Sequence, residues 1–171
     1  MGLLARLTRV AVLPPTRLGT RPKTKRALPH LQLDQLPATG TIDELVGRSL
    51  EMDHVRSRQS RMASPESVAL YLADEFARGP REAFIDGNEF CHIHPPPESG
   101  IHLTLPRILG DEVVRLGWGE RHPIAEAGIL PALVTVYAPR DRDEVEIVLG
   151  VIAQSCQFAR GDLRELHVEA Y

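Results

Sequence analysis

The 171-residue sequence predicts an α+β fold: a single antiparallel sheet with helices packed mainly on one face. Three observations lead there. Hydrophobic periodicity runs helix, several strands, helix, strand, helix along the chain. The strands are joined by short turns, which favours antiparallel pairing. Apolar residues make up 43% of the chain, enough for one packed core and too little for two.

Residues 1–12 hold a short apolar run, compatible with an interfacial helix, and residues 13–40 read as irregular. Pro14, Pro15, Pro22, Pro29 and Pro37 punctuate them, and each proline removes a backbone donor and biases its predecessor away from helix. Thr41, followed by Glu44, reads as a capped helix start, with Leu45, Val46 and Leu50 on the apolar side of a helix over about 42–51. Residues 53–62 and 67–73 read as a β-hairpin closed by Ser64-Pro65-Glu66. Residues 83–94 form the next strand, with Asp86-Gly87-Asn88 as a bulge or turn. Residues 95–100 can only be a loop, and Ile101–Leu105 alternates cleanly. Pro106 opens a helix that carries Ile108, Leu109, Val113 and Leu116 and ends at Gly117. A long loop is expected over 118–131 and a strand over 133–138. A last helix, about 141–158, is capped by Asp141 or Asp143 and striped by Val145, Val148, Leu149 and Ile152.

Charge divides the chain. Residues 1–33 hold Arg6, Arg9, Arg17, Arg21, Lys23, Lys25 and Arg26 and no acid, against a net charge of −3 overall. The expected organisation is therefore a basic, Pro-rich arm (1–33), an α+β domain (34–161) and a polar tail (162–171). The arm can lie on its own acidic body or meet an external anion. It lacks the interleaved aromatics of a nucleic-acid binder, so no nucleic-acid partner is expected. No apolar run reaches the ~20 residues of a membrane span, and Arg6 and Arg9 interrupt the first one. Cys91 and Cys156 make no disulfide framework. A soluble, cytoplasmic protein without stable membrane insertion is the expectation.

Four of the seven histidines fall between 92 and 122. Residues two apart in a strand share a face, so His92 and His94 point the same way, with Phe90 beside them. Cys91 and Ile93 take the other face, toward the helices, with Ile101, Leu103 and Leu105. His102 and Thr104 then join the histidines, provided the register does not slip by one. Thr135 and Tyr137 are candidates for the same face. Cys91, facing the core, reads as structural rather than nucleophilic. Three cofacial histidines suit general acid–base work or a metal such as zinc or iron, and also fit a simple polar cleft. Glu89, Glu98 and Glu120 are nearby carboxylates that could orient them. A second dense patch, Trp118, Glu120, Arg121 and His122, together with Arg140, could hold an aromatic or anionic ligand. A core anchor explains Trp118 equally well, and an internal salt bridge is the more common use of any one arginine. There is no Walker loop, no GxGxxG after a strand, no GxSxG elbow and no HExxH, which argues against nucleotide-dependent and serine-hydrolase chemistry.

At these residues the chain resembles the luciferase-like domain family, which includes the fungal luciferases and many bacterial proteins. The resemblance rests on Glu89-Phe90-Cys91-His92-Ile93-His94-Pro95, Ser99-Gly100-Ile101-His102-Leu103-Thr104-Leu105, Gly117-Trp118-Gly119-Glu120-Arg121-His122-Pro123 and Tyr137-Ala138-Pro139-Arg140, within about 29–161. It implies oxidation of a hydroxylated α-pyrone (3-hydroxyhispidin) by molecular oxygen, through an endoperoxide-type intermediate that loses carbon dioxide. It also implies that no cofactor is needed. On that basis His92, His94 and His102 are the catalytic candidates. Thr104, Trp118, Glu120, Arg121, His122, Tyr137 and Arg140 are the candidates for binding a small-molecule substrate. The fungal proteins are longer and carry an N-terminal membrane segment that is missing here, and the resemblance leaves light emission open. The expectation is a cofactor-independent oxygenase-type enzyme. Its alternatives are a metalloenzyme with zinc or iron on His92, His94 and His102, and a non-catalytic binding module for a small ligand.

Overall fold

A computed structural model describes residues 11–163. Expectations about residues 1–10 and about the tail beyond residue 163 lie outside the described residues. In chain order the elements are β1 (Thr24–Lys25), β2 (Leu31–Gln32), α1 (Thr41–Leu50), β3 (Val55–Gln59), β4 (Val68–Leu72), β5 (Glu89–Ile93), β6 (Ile101–Thr104), α2 (Arg107–Arg115), β7 (Gly119–Arg121), α3 (Pro123–Glu126), β8 (Leu133–Val136) and α4 (Arg142–Arg160).

The fold is α+β, but it has two sheets rather than one. A six-stranded antiparallel sheet runs in the order β3-β4-β5-β6-β8-β7, and β1 pairs with β2 in a separate ribbon. That ribbon lies in the stretch expected to be irregular. Its strands are two residues each, too short for any periodicity to register in the sequence. The expected loop over 118–131 also holds structure: edge strand β7 and the single turn α3. Gly119 makes β7 possible. A Cβ there would sit 2.2 Å from the Thr135 carbonyl oxygen, so only glycine lets the two backbones approach this closely.

Local chemistry explains the helix ends. Asp141 caps α4, its carboxylate accepting from the Glu144 N–H at 2.9 Å, and Gly161 ends it in the left-handed region. Thr41, expected to be a cap, is instead the first residue of α1. Gly40 occupies the cap position with φ 81°, and no side chain bonds there. Pro106 likewise sits one place ahead of α2. Ile108 is exposed, so the buried stripe of α2 is Leu109, Gly110 and Val113.

Helices α1 and α4 pack side by side on one face of the large sheet, with α4 against β4, β5 and β6. Cys91, Ile93, Ile101, Leu103, Val134 and Val136 meet Leu45, Val148 and Ile152 in the core. Those buried aliphatic side chains stabilise the fold by roughly 1.5–3 kcal/mol each before entropy is counted. The opposite face of the sheet carries the polar row. Arg58, Ala69, His92, His102, Thr135 and Glu120 are successive cross-strand partners through all six strands.

The described part of the basic arm packs against the body. Arg17 is buried and bonds Glu144 at 3.0 Å and 3.3 Å, with its guanidinium 5.5 Å from the Trp118 and Tyr137 rings. Arg21 donates to the Gly119 carbonyl at 2.9 Å. Among the described residues no helix is long and apolar enough to cross a membrane.

Candidate active site: a histidine face beneath the N-terminal arm

The pairing of β5 with β6 sets His92 opposite His102, with Cys91 opposite Leu103 and Ile93 opposite Ile101. His92, His94 and His102 therefore share the face away from the helices. All three are buried, and their ring centroids lie 4.8–5.1 Å apart.

A bulge supplies the carboxylate that alternation would have placed elsewhere. Leu70 and Tyr71 are neighbours in β4, yet they face Cys91 and Glu89, so Phe90 is an extra residue in β5. Phe90, expected beside the histidines, lies instead in the apolar core. Glu89 comes to the histidine side, 2.6 Å from His92 Nδ1. Glu89 is fully buried and accepts hydrogen bonds from Ser60 Oγ at 3.0 Å and Tyr71 Oη at 2.7 Å. Burial, and then the bond to Glu89, raises the Tyr71 phenol so that it remains a donor.

The hydrogen bonds order the protons. Glu89 receives two hydroxyl donors and so acts as an acceptor, which places the hydrogen of His92 on Nδ1. His92 Nε2 then accepts from His102 Nδ1 at 3.0 Å. His102 Nε2 is left with a lone pair and is buried without a partner. His94 follows the same logic. Its Nδ1 lies 2.9 Å from Ser67 Oγ and 3.3 Å from Glu98 Oε2, and its Nε2 is also buried and unpartnered. Burial, then the neighbouring His92, lowers the His94 ring to about 4. The same two causes, with His94 adding, push His102 well below the ordinary histidine value. Both rings are neutral bases at neutral pH.

His30 completes the face, although no pattern in the chain singles it out. The arm delivers its ring with Nδ1 2.8 Å from Thr135 Oγ1 and Nε2 2.6 Å from Glu120. Burial raises Glu120, but the hydrogen bonds from His30 and Thr24 and the nearby Arg26 together hold it below the usual carboxylate range. His122 stands edge-on to both His30 and His102. Its Nδ1 accepts the Ile124 N–H at 3.1 Å, so the neutral ring carries its hydrogen on Nε2. Burial, then His30 and His92, lowers His122 to about 4.

Above this face lies a cavity of about 570 Å³, large enough for a drug-sized ligand. His30, His92, His94, His102, His122 and Glu98 form its polar side. Ser64 and Arg81 add to the polar lining, apolar side chains form the rest, and Leu28, Met62 and Ile129 stand exposed at its rim.

Of the seven residues expected to bind substrate, only His122 lines this cavity. Thr104 shares the face but donates to the Ala83 carbonyl at 2.7 Å. Trp118 is buried, its indole N–H bonded to the Pro15 carbonyl, so it anchors the arm. Tyr137 Oη reaches Glu120 at 3.3 Å from behind the His30 contact. Arg121 pairs with Asp111, and Arg140 with Glu144, both away from the cavity. Glu120 acts through His30. Three of these side chains, Trp118, Tyr137 and Arg140, hold the arm in place. Cys91 is fully buried in the core, and burial raises its thiol well above the ordinary value, consistent with a structural role.

A family model described as Luciferase domain matches residues 87–155, from the turn before β5 into α4. The chain is 37% identical over 78 residues to the luciferases of Armillaria gallica and Armillaria mellea, and 35% identical to that of Neonothopanus nambi. Each match covers 43% of this chain and 29% of the relative's length. No solved structure matches. Glu89, His92, His94, His102 and His122 fall inside the stretch that matches the family model; His30, Ser60 and Tyr71 fall outside it.

Proposed function

Taking the luciferase-like domain of residues 87–155 as the premise, we propose that this protein is a cofactor-independent oxygenase-type enzyme for a small, flat hydroxylated substrate. The substrate class is a hydroxylated pyrone or a similar aromatic, and molecular oxygen is the second substrate. One observation carries the reading: His102 lines the cavity, its Nε2 lone pair is buried without a partner among the described residues, and its ring is backed by a hydrogen-bonded chain to a buried carboxylate.

A cofactor-free oxygenase needs an electron-rich substrate anion, so its first requirement is a base. His102 Nε2 takes the substrate hydroxyl proton. The His102 Nδ1 hydrogen moves to His92 Nε2, and the positive charge settles on His92 beside Glu89. A ring buried as deeply as His102 is a poor place to hold charge, and the chain removes it. Positioned proton transfer of this kind is worth about 10²–10⁴ in rate. The apolar walls keep water from the anion until oxygen reacts.

The test is oxygen uptake and photon counting with 3-hydroxyhispidin and simpler hydroxypyrones. Uptake that falls by about 10²-fold or more in His102→Ala supports the reading. No uptake with any of these substrates, from folded protein, overturns it.

A further inference from the structure

We propose that His92, His94 and His102 also form a binding site for a divalent transition metal of the zinc class, and that metal occupancy and proton transfer at His102 exclude one another. The second half rests on the base assigned above; the first does not.

Three observations carry the site. One ring nitrogen from each of these histidines lies within 4.8 Å of the others, on a rigid pair of adjacent strands. Two of the rings, His94 and His102, present Nε2 lone pairs that are buried and have no partner among the described residues. His92 and His94 each direct Nδ1 at a carboxylate, Glu89 at 2.6 Å and Glu98 at 3.3 Å. That is the arrangement by which carboxylates orient metal-binding imidazoles and leave Nε2 to the ion. Ligation by His92 requires its bond to His102 to open, and the ion replaces that bond.

A second group, His30, His102 and His122, is equally compact. His102 Nε2 is its one buried nitrogen without a partner among the described residues. His30 is held at both nitrogens by Thr135 and Glu120, and His122 Nδ1 is taken by the Ile124 N–H. The donors of the chosen site are imidazoles, which suit zinc, copper, nickel or iron. Magnesium and calcium need oxygen ligands, and Glu98 is the lone carboxylate lining the cavity. A bound ion would occupy the His102 lone pair and separate His102 from His92, which stops the proton chain.

The full chain, stripped with chelator and dialysed, is titrated with zinc alone by calorimetry and with cobalt alone by visible absorption. The expected result is one ion per chain, with a tetrahedral cobalt spectrum. Uptake is lost in His94→Ala and weakened about 10-fold or more in Glu98→Gln, which keeps the cavity shape. His54→Ala alters an exposed ring stacked on Phe76 outside the cavity and leaves uptake unchanged. Circular dichroism establishes that each variant is folded. Absence of saturable uptake, or uptake unaffected by both His94→Ala and Glu98→Gln, overturns the site. Zinc is then added during oxygen uptake. Suppression at the same stoichiometry supports mutual exclusion, and unchanged uptake overturns it. Stimulation by zinc would leave the metal site standing and remove the cofactor-independent reading instead.

Discussion

His102 is asked to accept a proton in surroundings that oppose its charge, and the neighbouring residues answer that difficulty. With its pKa pushed down by burial and by His92 and His94, an isolated His102 would release a proton as readily as it took one. The chain through His92 to Glu89 moves the charge to the ring that has a carboxylate beside it. Glu89→Gln keeps the shape but removes the balancing charge. It should lower kcat by roughly 10–100-fold with little change in KM, the split expected of a residue acting through another. The acid limb of the wild-type pH–rate profile should fall below pH 6.5, because the bases stay neutral there. Stability has its own pH window. His94 and His122 titrate near 4 in the folded protein and near 6.5 when unfolded. Between those values the unfolded chain holds more protons, so their contribution is complete above 6.5 and is lost as pH falls toward 4. The urea midpoint should drop between pH 7 and pH 4.5, and drop less in His122→Asn.

The elements differ in how openly the sequence announces them. Alternation in 89–93 and 101–104 was enough to place His92, His94 and His102 together, because one buried face fixes the register. Phe90 was misplaced by the same rule, while Glu89, named only as a nearby carboxylate, takes the histidine side. A bulge comes from how β5 pairs with β4, and nothing within 83–94 encodes it locally. Strand β7 was hidden because three residues are too few for a pattern, although Gly119 sat in view. Its role is testable: Gly119→Ala drives a Cβ into the Thr135 carbonyl and should destabilise the fold by about 1–3 kcal/mol in urea titration. Thr135 and Glu120 both hold His30, so the same change should also raise KM.

At the scale of the whole molecule, the arm decides whether the histidine face is a cleft or an open surface. Its attachment is concentrated at Arg17, which is buried against Glu144 between two aromatic rings. Burial raises the Glu144 carboxyl, but the bonds from Arg140 and Arg17 prevail and hold it below the ordinary range. Arg140 keeps Glu144 paired when Arg17 is lost, so Arg17→Ala should cost about 1–3 kcal/mol by urea titration, the loss of a buried hydrogen-bonding partner. Hydrogen exchange should rise in residues 13–35 before it rises in β5 and β6. The composition of the arm left its own acidic body and an external anion as alternatives and could not say where it would dock. His30 is a single ring in a stretch without periodicity, set in place by partners about 90 and 105 residues away.

The floor of the cavity and part of its entrance are written in separate stretches of the chain. The proton-handling side chains fall within the segment matched by the family model, while Leu28, Pro29, His30 and Met62 lie upstream of it. Substitutions that reshape the entrance can therefore accumulate without disturbing the acid–base pairs beneath. The architecture separates what a site admits from what it does to it, and lets selection adjust the two at different rates.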